Sequence, residues 1–96
     1  MRDVSDSLPG SDLIREGLRD LANGVESISA LLVLVGSPRL RDLGLDVPDP
    51  FSSAVHPEHR LYDLLAEEDA DGAHSRYNAL IRRLVSFERA AECVND

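Results

Sequence analysis

The chain has 96 residues, of which 43% are apolar, and a net charge of −8. This composition argues against a disordered chain, and the length suits one small domain with a modest core. A single cysteine, Cys93, excludes an internal disulfide and a zinc site built from cysteines. The longest apolar run, residues 30–35, is too short to cross a membrane, and the N-terminus has no apolar leader segment. We therefore expect a cytoplasmic protein.

The acidic charge is unevenly distributed along the chain. Residues 57–72 carry one arginine against six carboxylates, whereas residues 73–96 have a net charge of +1. Such a polarity can steer a charged partner, although solvated helix faces are the commoner explanation.

Apolar residues in the first half of the chain alternate between spacings of four and three. This heptad spacing puts them on one stripe of a helix. It predicts a long helix over about residues 12–35, with Ser11 or Asp12 as its N-cap. The seven residues of this first seam are Ile14, Leu18, Leu21, Val25, Ile28, Leu32 and Val35.

Two glycines, Gly17 and Gly24, lie beside this seam, with Ala22 and Ser29 on its other flank. In a helix interior each glycine costs about 1 kcal/mol relative to alanine. Small residues there let a neighbouring backbone approach closely, so one interpretation is a tight helix–helix contact. The other is that both glycines are tolerated weak points on the surface. The sequence leaves open whether such a contact lies within the chain or between copies.

The end of the first helix is apolar on every face over residues 30–35 and must be covered all round. Gly36 ends it, and Ser37 and Pro38 begin a short helical turn over about 38–43, closed by Gly44. Two prolines exclude a regular helix from residues 45–56. The apolar residues expected to cover the first helix are Leu40, Leu43, Leu45, Val47, Phe51 and Val55.

The second half of the chain predicts two further helices. Pro57 begins one over about residues 57–68. After a four-residue link in which Asp71 is a candidate cap, another runs over about residues 73–93, antiparallel to it. The last helix has its own heptad seam, made of Ala73, Tyr77, Leu80, Leu84, Phe87, Ala91 and Val94. We expect an all-α helical bundle over residues 11–96, preceded by a flexible arm over residues 1–10.

No catalytic or cofactor motif is present, so we expect no enzyme activity and no cofactor. His56, His59 and Asp63 are the only plausible metal ligands, but a structural role is the better interpretation because the spacing is one residue short of a His-Glu-x-x-His motif. Cys93 lies three residues from the C-terminus, away from any cleft that the sequence predicts, so it is not a candidate nucleophile. We therefore predict no metal site, with a small-ligand or metal-binding bundle as the weakest alternative.

The arginines of the last helix, Arg76, Arg82, Arg83 and Arg89, are the candidate contacts to nucleic acid. They do not form one stripe, and nucleic-acid binding depends on clustered positive charge. Ion pairs with Asp63, Glu67 or Glu68 are the better supported use. A nucleic-acid-associated regulator is thus the second hypothesis, and we do not expect it to be the main one.

The leading hypothesis is a small acidic, non-enzymatic protein that acts through protein–protein association. It includes a homodimer or a complex with a helical partner, in the manner of a regulator, antitoxin, immunity protein or adaptor. An acidic surface suits a basic partner. The candidate interface residues, taken from the two seams and the glycine flank, are Ile14, Gly17, Leu18, Leu21, Gly24, Val25, Ile28, Tyr77, Leu80, Leu84 and Phe87.

Overall fold

The computed structural model describes residues 8–48 and 56–95, with side chains described up to Cys93. All regular secondary structure in these two ranges is helical, which confirms the predicted all-α bundle. The helices of the described ranges are α1 (Ser11–Ala22), α2 (Ile28–Val35), α3 (Ser37–Asp42), α4 (Pro57–Glu68) and α5 (Ala73–Asn95).

The continuous helix predicted over residues 12–35 is wrong, because the chain leaves the helix at Ala22 and folds back into α2. Gly24 adopts a φ of 72°, a left-handed conformation that glycine reaches without a Cβ penalty. Its N–H donates to the Leu21 carbonyl at 3.1 Å, and the Val25 N–H donates to the Asp20 carbonyl at 2.8 Å. These two hydrogen bonds form a Schellman motif, which ends α1.

The turn between α1 and α2 is held by side chains as well as by the glycine. The Ser27 hydroxyl oxygen caps α2 by accepting from the Ala30 N–H at 3.1 Å. The same hydroxyl group donates to the Asp20 carboxylate at 2.6 Å, which ties the start of α2 to the end of α1. Val25 belongs to the predicted seam, yet its side chain is 48% exposed at this turn. The heptad spacing therefore continues across a turn that local capping residues impose.

The all-apolar helix α2 lies at the centre of the fold and packs against α1, α3, α4 and α5. Ala30, Leu31, Leu32 and Val33 are each at most 2% exposed. The expected cover is confirmed in part, because Leu40, Leu45 and Val47 are buried and Leu43 packs on the core. Phe51 and Val55 lie outside the described residues.

The end of α3 and the start of α1 are each set by a glycine with a positive φ. Gly44, at a φ of 93°, ends α3 in the same way as Gly24 ends α1: its N–H donates to the Arg41 carbonyl at 3.0 Å, and the Leu45 N–H donates to the Leu40 carbonyl at 3.1 Å. At α1 the N-cap is Gly10, so the prediction of Ser11 or Asp12 is wrong. Gly10 has a φ of 76°, and a Cβ there would lie 3.0 Å from the Arg83 carbonyl oxygen, so the chain passes directly over α5. Leu8 packs on the core, and residues 1–7 of the predicted arm lie outside the described residues.

The second half of the chain matches the predicted boundaries closely. α4 occupies the predicted range, and α5 begins at the predicted residue and continues two residues further. The second seam is the buried face of α5, with Ala73, Leu84, Phe87 and Ala91 at most 7% exposed. Tyr77 and Leu80 are partly buried, and the Val94 side chain lies outside the described residues. At the link, the side chain that accepts a backbone hydrogen bond is Asp69, from the Gly72 N–H at 3.1 Å, rather than the predicted Asp71.

One hydrophobic core joins all five helices. The radius of gyration of 12.9 Å is close to the roughly 12.5 Å of a compact domain of this length. Among the helices described, none combines the length and the apolar character needed to cross a lipid bilayer. The buried apolar residues are Ile14, Leu21, Ala30, Leu31, Leu32, Val33, Leu40, Leu45, Val47, Leu61, Leu65, Ala73, Leu84, Phe87 and Ala91.

Candidate functional site

The two glycines beside the first seam have different roles. A Cβ added to Gly17 would overlap the Ser29 carbonyl oxygen and the Val33 side chain, so this glycine permits a close α1–α2 approach within the chain. A Cβ added to Gly24 would meet nothing within 4 Å. The tight contact is therefore between Gly17 and α2 of the same chain. Gly24 makes no such contact and instead adopts the left-handed conformation of the turn between α1 and α2.

Most of the candidate interface residues face the chain's own core. Ile14, Leu21, Leu84 and Phe87 are at most 4% exposed, so none of them presents a surface to a second molecule in this fold. Only Val25 has a largely exposed side chain. Use of these positions between molecules stays a prediction for those that retain some exposure, which are Leu18, Gly24, Val25, Ile28, Tyr77 and Leu80.

An aromatic pair lies where α4 and α5 meet. The ring centroids of Tyr62 and Tyr77 are 5.8 Å apart, with the ring planes tilted by 57°. Tyr62 is 38% exposed and is one of two large apolar or aromatic side chains of the described residues that face solvent. Tyr62 is not among the interface residues predicted from the sequence. The available signal was that both tyrosines lie within two helical turns of the short link that makes α4 and α5 neighbours.

Two exposed carboxylates lie on the solvent side of α4, as Tyr62 does. Asp63 and Glu67 are exposed, lie one helical turn apart, and form no ion pair with any described residue. Other charged residues of α4 form ion pairs within the chain. Arg60 donates to Glu26 at 2.8 Å, and the Glu26 carboxylate raises the pKa of Arg60, with smaller contributions from Glu67 and Asp63. We name Tyr62, Asp63, Glu67 and Tyr77 the α4 face.

The four arginines of α5 do not act as a group. Arg76 pairs with Glu68 at 3.0 Å, which confirms one predicted ion pair, and Arg83 pairs with Asp12 of α1 at 3.2 Å. Arg82 and Arg89 are exposed and form no ion pair with the residues that the structure describes. Since they are seven residues apart, these two share the outer side of α5.

The candidate metal ligands are only partly brought together. The rings of His56 and His59 lie 5.6 Å apart in an edge-to-face arrangement, and His56 Nδ1 lies 3.5 Å from Glu58. Over residues 8–48 and 56–93, no three histidine, cysteine or acidic side chains are grouped so that they would hold a metal ion. Cys93 is exposed.

One carboxyl group is placed where the sequence gave no signal for it. Glu88 Oε2 is buried without a hydrogen-bond partner among the described residues. It lies against Gly36, at the junction of α2 and α3. Burial raises the pKa of Glu88, and the nearby Arg39 lowers it by a smaller amount.

Comparison with known proteins finds no relative of this chain. The chain matches no protein-family model, and no curated protein or solved structure is significantly similar to it.

Proposed function

We propose that this chain is a small, non-enzymatic protein that works by binding a partner protein through the α4 face. The observation that carries the proposal is the exposed Tyr62, which rests on Tyr77 and shares the solvent side of α4 with the exposed Asp63 and Glu67. The partner presents a basic surface to these carboxylates. A regulator, antitoxin, immunity protein or adaptor would each act in this way.

The chemistry of the α4 face is that of a binding patch. Tyrosine supplies a large apolar ring and a polar hydroxyl group, and it is enriched where interfaces bury their central contacts. Tyr62 pays little conformational entropy on binding, because its ring already packs on Tyr77. Asp63 and Glu67 form no close ion pair with a described residue and interact only electrostatically with Arg60, so a basic surface can pair with both without breaking a close internal pair.

Charge favours a different protein over a second copy of this chain. A two-fold dimer through the α4 face would bring the same patch of each copy together, and Asp63 and Glu67 would then face like charges. The two apolar seams are not available to a second copy, because Ile14, Leu84 and Phe87 are buried in the core of the same chain. Binding therefore has to use a solvent-facing surface. A homodimer therefore ranks below a basic partner protein.

A nucleic-acid contact through α5 is the second candidate. It is favoured by Arg82 and Arg89, which lie exposed on one side of the helix and form no ion pair with the described residues. Two such contacts would give a slope of only about −2 when the logarithm of affinity is plotted against that of salt concentration. The net charge of −8 opposes this binding.

Site-specific photo-cross-linking distinguishes these candidates. A photoreactive phenylalanine derivative replaces Tyr62 in one variant and Arg82 in a matched control, each expressed in cells that naturally make the protein. We expect position 62, and not position 82, to yield one discrete cross-linked protein. The partner is then purified, and the double variant Asp63→Asn, Glu67→Gln should bind it more weakly and with less dependence on salt.

Each other outcome contradicts the proposal. Equal or absent cross-linking at positions 62 and 82 removes the α4 face as a binding surface. Cross-linking of position 62 to the same chain makes the protein a homo-oligomer. Cross-linking of position 82 to nucleic acid makes the second candidate the function.

A further inference from the structure

The junction of α2 and α3 is covered by one short segment of α5. A Cβ added to Gly36 would lie 2.8 Å from Leu84 Cδ1 and 3.1 Å from Glu88 Oε2, so the absence of a side chain at Gly36 lets α5 approach. Glu88 Oε2 is shielded from solvent there and accepts no hydrogen bond from a described residue. With Oε2 buried, an ionised Glu88 carboxylate loses part of its hydration, and no donor among the described residues replaces it.

Among the residues that the structure describes, Arg39 is the charged group that shifts the pKa of this carboxyl group. Across from it, α3 contributes Arg39, whose guanidinium group is paired with Glu92. Glu92 is one helical turn from Glu88 on α5, so two carboxylates share one cation. Every residue of α2 is uncharged. Arg39 therefore offsets only part of the penalty for burying Glu88, and the pKa of Glu88 remains raised.

We propose that the contact between α3 and α5 is a pH-dependent latch, in which protonation of Glu88 tightens the hold of α5 on the α2–α3 junction. The neutral carboxyl group fits the junction without a buried charge, whereas the ionised group favours movement of α3 away from α5. Of the three atoms nearest to a Cβ added at Gly36, two belong to Leu84 and the third, Glu88 Oε2, is the titratable one.

The direction of the pH effect follows from proton linkage. A carboxyl group with a higher pKa in the folded state than in the unfolded state binds protons more tightly when folded. Its stabilising contribution is complete below the ordinary pKa of 4.5 and is lost as the pH rises through the raised value. The latch is accordingly tightest below pH 4.5 and loosens as the pH rises through the raised pKa of Glu88.

Opening of the latch would expose apolar surface. α3 and the segment after it place Leu40, Leu45 and Val47 in the core. Movement of this segment would uncover these side chains together with the central helix α2. The pH would then set how often the protein presents that apolar surface.

Amide hydrogen exchange measures this opening directly. The reporters are the amides of Leu40, Leu43 and Leu45, which donate to backbone carbonyls of the α2–α3 junction and α3. After correction for intrinsic exchange rates, we expect their protection factors to rise as the pH falls, by at most about tenfold per pH unit for one linked proton. Glu88→Gln should abolish that dependence, whereas the exposed control Glu16→Gln should preserve it.

A carbon-13 NMR titration of the Glu88 carboxyl group provides the second readout. We expect its midpoint to lie above 4.5 in the wild type. Glu92→Gln releases Arg39 to pair with Glu88 and should lower the midpoint, and Arg39→Gln should raise it. The proposal is overturned if Glu88 titrates at its ordinary pKa, or if the protection factors keep the same pH dependence in Glu88→Gln.

Discussion

Replacement of Leu32 by alanine is expected to reduce the free energy of unfolding by about 2–5 kcal/mol. Leu32 is fully buried in α2, which packs against all four other helices, so its truncation leaves a cavity at the centre of the core. Domains of this kind have only about 5–15 kcal/mol in total. Urea denaturation measures the loss, and the volume-conserving variant Leu32→Met should lose less than about 1.5 kcal/mol.

Two valines provide a matched control for this expectation. Val33 is completely buried in α2, whereas Val25, a member of the predicted seam, is 48% exposed. Val33→Ala should cost about 2 kcal/mol, and Val25→Ala should stay within about 0.5 kcal/mol of the wild type. Equal losses at both positions would mean that Val25 is buried in a continuous seam, contrary to the fold described.

Replacement of Gly17 by alanine is expected to destabilise the protein by about 1–3 kcal/mol. The added methyl group would overlap the Ser29 carbonyl oxygen and the Val33 side chain, so α1 and α2 must separate. The sign of the effect is informative, because alanine on an exposed helix surface would instead stabilise by about 1 kcal/mol. Thermal and urea unfolding measure it.

The control for Gly17→Ala is the adjacent substitution Glu16→Ala. Glu16 is exposed on the same helix, so this change should alter stability by less than about 0.5 kcal/mol. Stabilisation by Gly17→Ala would contradict a close α1–α2 contact and would return Gly17 to the protein surface.

The sequence predicts the second half of the fold well because local signals and hydrophobic spacing agree there. Pro57 begins α4 where the apolar pattern starts, and the link ending in Gly72 separates two patterns that α4 and α5 then bury. In the first half the two kinds of signal conflict. The heptad spacing runs unbroken through Gly24, yet Asn23, Gly24 and Ser27 supply a C-cap and an N-cap. The caps end the helix despite the heptad spacing, because the apolar α2 can then pack against α1.

The candidate functional groups were harder to predict, since they depend on contacts between helices. The Tyr62–Tyr77 pair requires the rotational setting of α4 against α5, which a heptad pattern does not specify. Glu88 flanks the second seam and looks like a surface residue in the sequence. Its burial results from the approach of α5 to Gly36, so it follows from tertiary packing alone.

The central claim is that residues 12–35 form two helices folded against each other within one chain. Nuclear Overhauser spectroscopy on the monomeric protein tests it most directly, with Val33 methyl groups labelled. We expect cross-peaks between these methyl protons and the α-protons of Gly17, because the two residues are in contact. In a continuous helix they would be about 24 Å apart and would give none. Absence of these cross-peaks, with uninterrupted helical contacts through residues 22–28, would contradict the fold and the function proposed from it.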